Sequence, residues 1–148
     1  MNTLKIRKAT ADDALAIAQL SGQLGYPVEA HVMRERLERL LQLEEHAVFV
    51  AETTDLVGWI HGAECELLEV GRHAEIWGLV VAEGRRGKGI GRQLIEAVEE
   101  WTRRRDLDEI SVKSNVIRPE SHPFYERLGF TRYKTQHAYR KRLALPER

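Results

Sequence analysis

Between Gly84 and Arg92 the chain reads GRRGKGIGR, a turn in which glycines alternate with arginine and lysine. Before it lies a run of β-branched and apolar residues, Ile76 to Val81, and after Arg92 the pattern becomes helical. Strand, glycine turn and helix in succession build a site for an anionic group. The turn's backbone N–H groups and those of the first helical turn point to one place, and the helix dipole adds partial positive charge there. Glycine lets a ligand approach the main chain without interference from a Cβ. Arg85, Arg86, Lys88 and Arg92 add full charges. Two phosphate-binding patterns fail against these residues. A Walker loop needs Gly-Lys followed by Ser or Thr, and neither triplet occurs in the chain. A dinucleotide fingerprint needs a third glycine where Arg92 stands. What remains is Arg86-Gly87-Lys88-Gly89-Ile90-Gly91, of the form Arg-x-x-Gly-x-Gly.

That stretch resembles the acetyl-CoA pyrophosphate loop of the GNAT superfamily of N-acetyltransferases. The segment HPFYERLGF, His122 to Phe130, is similar to the FYxxxGF helix of the same family. The resemblance implies acetyl transfer from acetyl-CoA to a primary amine of a small molecule, such as an aminoglycoside or polyamine, or of a peptide. Arg86, Gly87, Lys88, Gly89, Ile90, Gly91 and Arg92 would hold the cofactor. The backbone of Leu79, Val80 and Val81 would pair with its pantetheine arm and face the thioester. Tyr125 would protonate the leaving thiolate; the alternative is a core tyrosine on a short helix. Glu75 stands eleven positions before Arg86, the spacing of the general base in the histone-acetylating branch. Its other reading is a strand-edge carboxylate paired with Arg72 or His73. His61, His73 and Glu64 are further candidate bases, and a water chain could replace a fixed one. The family places Asn seven positions before the tyrosine, where this chain has Arg118. Asn115, ten before it, or Arg118 would then contact the cofactor. Substrate contacts are expected from the link between the first two helices, with Tyr26, and from Trp59, Trp77 and Glu75. Two rivals remain: an acyltransferase for a longer acyl-CoA, and a non-catalytic acyl-CoA-binding regulatory domain.

These residues need elements to position them. Leu4 to Ala9 alternates and reads as a first strand. Thr10-x-x-Asp13 resembles a capping box opening a helix to about Leu20. Gly22, Gly25 and Pro27 interrupt the chain, and a second helix is expected over roughly Glu29–Leu43. Ala47–Glu52, Leu56–Leu68 and Ala74–Ala82 read as strands, with Gly58 and Gly62 as possible bends. In the helix after the loop, Ile90, Leu94, Val98 and Trp101 form the inward stripe. Asp108–Ser114 is a further strand, Ser121 begins a short helix, and Gly129 ends it. Phe130–Leu143 reads as two final strands. The predicted order, β-α-α-β-β-β-α-β-α-β-β, is an α/β domain of three layers that also resembles the GNAT order. The resemblance adds a mostly antiparallel mixed sheet with a splayed strand pair at the cofactor.

Composition bounds the rest. The chain has 148 residues, 43% hydrophobic and 31% charged, which suits one globular domain over residues 1–148. Formal net charge is zero, which argues against a nucleic-acid partner. Residues 44–75 carry eight acidic side chains and one basic one, so a cationic substrate is expected nearby. A solvated strand face explains the same residues. There is one cysteine, Cys65, as suits a reducing, cytoplasmic setting. No apolar leader or membrane span is evident. No metal is expected, because Cys65 and the histidines lack ligand spacing. A homodimer is plausible if edge strands at the C-terminal end need covering.

Overall fold

The computed structural model describes residues 3–23, 25–113 and 121–147, with Ser121 by its backbone alone. Contacts group the chain into two units, Met1–Ser114 and Asn115–Arg148.

The first unit runs β1 (Lys5–Lys8), a 3-10 turn (Ala11–Asp13), α1 (Ala14–Gln23), α2 (Ala30–Leu40), β2 (His46–Glu52), β3 (Leu56–Leu67), β4 (Gly71–Val81), α3 (Ile90–Arg104) and β5 (Ile110–Val112). The sheet order is β1-β2-β3-β4-β5. Neighbours are antiparallel through β4, and β4 pairs with β5 in parallel. This is the expected mixed, mostly antiparallel sheet. No helix among the described residues is long and apolar enough to cross a membrane.

Alternation along β3 sets the layers. Gly58 and Gly62 lie under α3. A Cβ added at Gly62 would stand 2.8 Å from Val98 Cγ1, and one at Gly58 3.2 Å from Leu94 Cδ1. These glycines, expected as possible bends, stand beside register shifts in the ladders with β2 and β4, and they also let α3 pack close on β3. On the opposite face Val48 and Val50 pack with Ala14, Ile17 and Leu37, and Trp59 leans on that cluster. Helices α1 and α2 therefore cover one face and α3 the other.

Other expectations need correction. Helix α3 begins at Ile90, before Arg92: the Gln93 N–H already donates to the Gly89 carbonyl at 3.1 Å. Its buried face is Ile90, Gly91, Leu94, Ile95, Val98 and Thr102. Trp101 is half-buried, with the Arg105 guanidinium 5.5 Å from its ring centre.

The entry to α1 is tied to the sheet by charge. Asp13 Oδ2 accepts the Thr10 backbone N–H at 2.8 Å, as the capping-box reading requires. Its carboxylate also accepts both Arg7 terminal nitrogens, at 2.9 and 2.8 Å, and Arg7 continues to Glu52 at 3.0 Å. The Arg7 guanidinium holds the Asp13 carboxyl below its ordinary range, against the opposing effect of burial. A carboxylate lowered in the folded state stabilises above its unfolded pKa of about 4, and the contribution disappears as pH falls through the lower folded value. Asp13→Asn is therefore expected to cost about 2 kcal/mol at neutral pH. The gap to wild type should narrow below about pH 4. Urea denaturation at a series of pH values checks this; a pH-independent gap contradicts it.

The second unit holds α4 (Ser121–Arg127). It ends as expected at Gly129, with φ +93°, while the Phe130 N–H donates to the Tyr125 carbonyl at 3.1 Å. The two final strands are not there: residues 130–147 carry no strand, and 131–147 are exposed. Alternation alone does not make a strand without a paired neighbour and a face to bury. The argument for a homodimer from C-terminal edge strands loses its ground with them.

Candidate active site

Strand β4 carries most of the predicted residues. Its pairing with β5 covers Ala74, Glu75 and Ile76, against Ile110, Ser111 and Val112. From Trp77 to Val81 no β5 partner is recorded among the described residues. Among the described residues, the edge of β4 that includes Leu79, Val80 and Val81 thus extends past its pairing with β5. Pairing with β3 continues there, Val80 against Trp59 and Val81 against Gly58.

The register of β4 also slips. His61 pairs with Gly78 and Gly62 with Ile76, so Trp77 is an inserted residue. Such a bulge re-aims a side chain. Trp77 turns onto the face of His61, its ring meeting His61 and His46 edge-on at centroid distances of 5.3 and 5.4 Å. It is 52% exposed. The insertion needs Gly78, since a Cβ there would lie 2.7 Å from the Trp59 ring. His46 Nδ1 and His61 Nε2 are 3.0 Å apart, within hydrogen-bond distance, and the two rings stack. Burial, then the nearby His46, push His61 down to about 4. An imidazole so weakly basic is neutral at working pH and accepts a proton poorly, so His61 is set aside as a base.

Beyond the bulge the same face carries Glu75, His73 and Cys65. Glu75 Oε1 meets Lys113 Nζ at 3.0 Å, and Oε2 lies 3.8 Å from His73 Nε2. His73 is buried, with Nδ1 3.1 Å from the Gly71 carbonyl. Burial raises the Cys65 thiol, and the charge and hydrogen bond of Glu75 raise it further. Glu64 lies on the other face, claimed by Arg72 at 3.0 Å and Arg105 at 3.1 Å, which removes it as a candidate base.

Past β4 the chain turns through Glu83–Gly89, all of it exposed. Gly84, Gly87 and Gly89 have φ of +78°, +79° and +81°, with open space where a Cβ would stand. Left-handed backbone explains why glycine recurs here. Gly89 is the residue before α3, so the amides of Ile90, Gly91 and Arg92 head the helix. Arg92 is not a free charge: it bonds Glu96 Oε1 at 3.0 Å, an exposed pair that an anion can displace. At the other side, Gln23 Oε1 accepts the Glu83 N–H at 3.3 Å, which ties the end of α1 to this turn. Tyr26, in the link to α2, is 60% exposed.

In the second unit the Tyr125 ring meets Phe124 and Phe130 edge-on, at 5.1 and 5.7 Å. Burial raises its phenol above 10, so it keeps its proton throughout the working range. Asn115 and Arg118 lie outside the described residues.

A family model described as the acetyltransferase (GNAT) family matches residues 14–130, across both units. The chain is 34% identical over 136 residues to an aminoglycoside N(6')-acetyltransferase type 1 of Stenotrophomonas maltophilia, covering 84% of each chain. It is 27% identical over 114 residues to the N-acetyltransferase YhdJ of Bacillus subtilis, covering 76% of this chain and 80% of that one. The fold superposes on the aminoglycoside N-acetyltransferase AAC(6')-Iy, solved in complex with CoA, with a TM-score of 0.86 at 22% identity and 97% of each chain covered. The chain belongs to the GNAT family of acetyltransferases and is an N-acetyltransferase.

Proposed function

We propose that this enzyme transfers the acetyl group of acetyl-CoA to a primary amine on a polycationic small molecule of the aminoglycoside or polyamine kind. The observation that carries the substrate class is the surface around Glu75, where one carboxylate and the exposed Trp77 ring share a face of β4. Carboxylates and aromatic faces recognise ammonium groups. The similarity to an aminoglycoside acetyltransferase supports the same class. On this reading the enzyme works in the cytoplasm, where its single thiol stays reduced.

The roles follow from the strand. The turn and the head of α3 hold the CoA diphosphate through Gly87 to Arg92, with Arg85, Arg86 and Lys88 neutralising charge. The pantetheine arm lies along the edge of β4 at Leu79 to Val81, where no β5 partner stands among the described residues, hydrogen-bonding its backbone. From Val81 back to Glu75 is six residues of strand, roughly 20 Å, so the arm carries the thioester toward Glu75. Lys113 is the resting counter-ion of Glu75. The substrate ammonium takes its place, gives up a proton to the carboxylate or to water, and attacks the thioester carbonyl. The CoA thiolate leaves and takes a proton from the Tyr125 phenol.

Glu75→Gln removes the charge and keeps the shape. It is expected to lower kcat/KM for cationic amines by at least about tenfold at neutral pH. The deficit should shrink as pH rises and more substrate is free amine. Steady-state kinetics across pH with one diamine check this. A kcat/KM equal to wild type would remove Glu75 from the reaction.

A further inference from the structure

We infer that Cys65, His73 and Glu75 form a binding site for a borderline-soft divalent cation of the Zn2+ kind on the α1–α2 face of the β3–β4 hairpin. Cys65 and His73 are directly cross-strand partners, and Glu75 follows His73 by two residues, so all three project to one face. Their nearest ligand atoms, Sγ, a ring nitrogen and a carboxylate oxygen, lie within 4.8 Å of one another. In a tetrahedral zinc site, with Zn–S of about 2.3 Å and Zn–N and Zn–O of about 2.0 Å, ligand atoms are about 3.3–3.5 Å apart. The 3.8 Å between His73 Nε2 and Glu75 Oε2 is about half an ångström wider. Closing on a cation takes a shift of about an ångström at the sulfur, within a rotamer adjustment.

The second shell fits as well. His73 Nδ1 is 3.1 Å from the Gly71 carbonyl, and Nε2 is the ring nitrogen on the Glu75 side. A backbone carbonyl on the far nitrogen is the arrangement that orients metal-bound histidines. Lys113 Nζ meets Oε1 at 3.0 Å and leaves Oε2 on the His73 side. Thiolate, imidazole and carboxylate with one open position are a donor set that suits zinc over magnesium or calcium. The expectation of no metal came from spacing along the chain, which does not see residues brought opposite each other by a hairpin.

Titrating the metal-free protein with Co2+ and with Zn2+ tests the site. One equivalent should bind, and the cobalt form should show a near-ultraviolet thiolate-to-metal charge-transfer band. Cys65→Ser should abolish the band, and Cys65→Ser and His73→Gln should each weaken Zn2+ binding at least about tenfold by calorimetry. His137→Gln, an exposed histidine elsewhere, should bind as wild type. Zn2+ should also protect Cys65 of the unmutated protein from alkylation, a readout that needs no variant to fold. No charge-transfer band together with unprotected Cys65, or binding unchanged in both variants, overturns the site. A metal there occupies Glu75 and blocks acetyl transfer, with recovery on chelation; this consequence rests on the reading of Glu75 above. Spectroscopic binding without inhibition would therefore count against Glu75 as the amine-facing residue and leave the metal site standing.

Discussion

Gly89→Val is expected to weaken acetyl-CoA binding at least about a hundredfold, or about 2.7 kcal/mol, while the protein stays folded. Gly89 has φ +81° immediately before α3, and no protein atom lies within 4 Å of where its Cβ would go. The substitution meets no clash inside the protein. It does place a β-branched residue in left-handed backbone, a strain of about 1–3 kcal/mol that the exposed turn relieves by moving. Movement turns the Ile90, Gly91 and Arg92 amides away from a common point, and the new side chain takes space the diphosphate needs. Gly71→Val is the matched control, since Gly71 also has φ +81° and open space around it. It carries the same backbone strain in a different turn, so its acetyl-CoA affinity should stay within about threefold of wild type. Calorimetry on both variants, with circular dichroism to verify folding, makes the comparison. Equal effects would reduce the Gly89 result to general strain, and a Gly89→Val affinity near wild type would remove the turn as the cofactor site.

Tyr125→Phe is expected to lower kcat about a hundredfold with acetyl-CoA affinity unchanged. Burial keeps the phenol protonated, so the donor is present across the working pH range. A thiol pKa near 8.5 makes CoA a fair leaving group, which puts acid catalysis at the low end of its usual range, about a hundredfold. The Phe variant keeps the ring contacts with Phe124 and Phe130 and loses only the O–H. If Tyr125 serves packing alone, Phe is silent in kcat. Tyr125→Ala then costs stability, by about 3 kcal/mol or more. Single-turnover rates and melting temperatures of the two variants separate these outcomes. A Phe variant with the wild-type chemical rate takes Tyr125 out of the mechanism.

Local pattern carried the elements that bury a face. The strand before Gly84, the helix through Leu94 and Val98, and the cap at Gly129 were all legible, because period, glycine position and capping agree there. The final strands were misread because alternation in Phe130–Leu143 supplies half of what a strand needs, and the other half is a partner. The turn was readable for the same local reasons: its glycines sit where the chain needs positive φ. The surroundings of Glu75 were not readable. Lys113 reaches it from β5, across a parallel pairing whose register no short-range signal announces. Trp77 reaches His46 and His61 through an inserted residue, and one residue of slip reverses which face a side chain takes. Cys65 and His73 were within reach of inference, since a hairpin turn centred near Glu69 pairs residues equidistant from it. Fixing that centre required knowing that Gly71 opens β4.

The central claim is that this chain acetylates amines from acetyl-CoA. Its most direct test is continuous detection of CoA thiol release from acetyl-CoA across a panel of aminoglycosides, polyamines and lysine peptides, with mass spectrometry of the amine at the end. Amine-dependent release is expected with at least one polycationic amine, and that amine should gain the mass of one acetyl group. Tight acetyl-CoA binding with no release above the amine-free rate for any member of the panel would contradict the account.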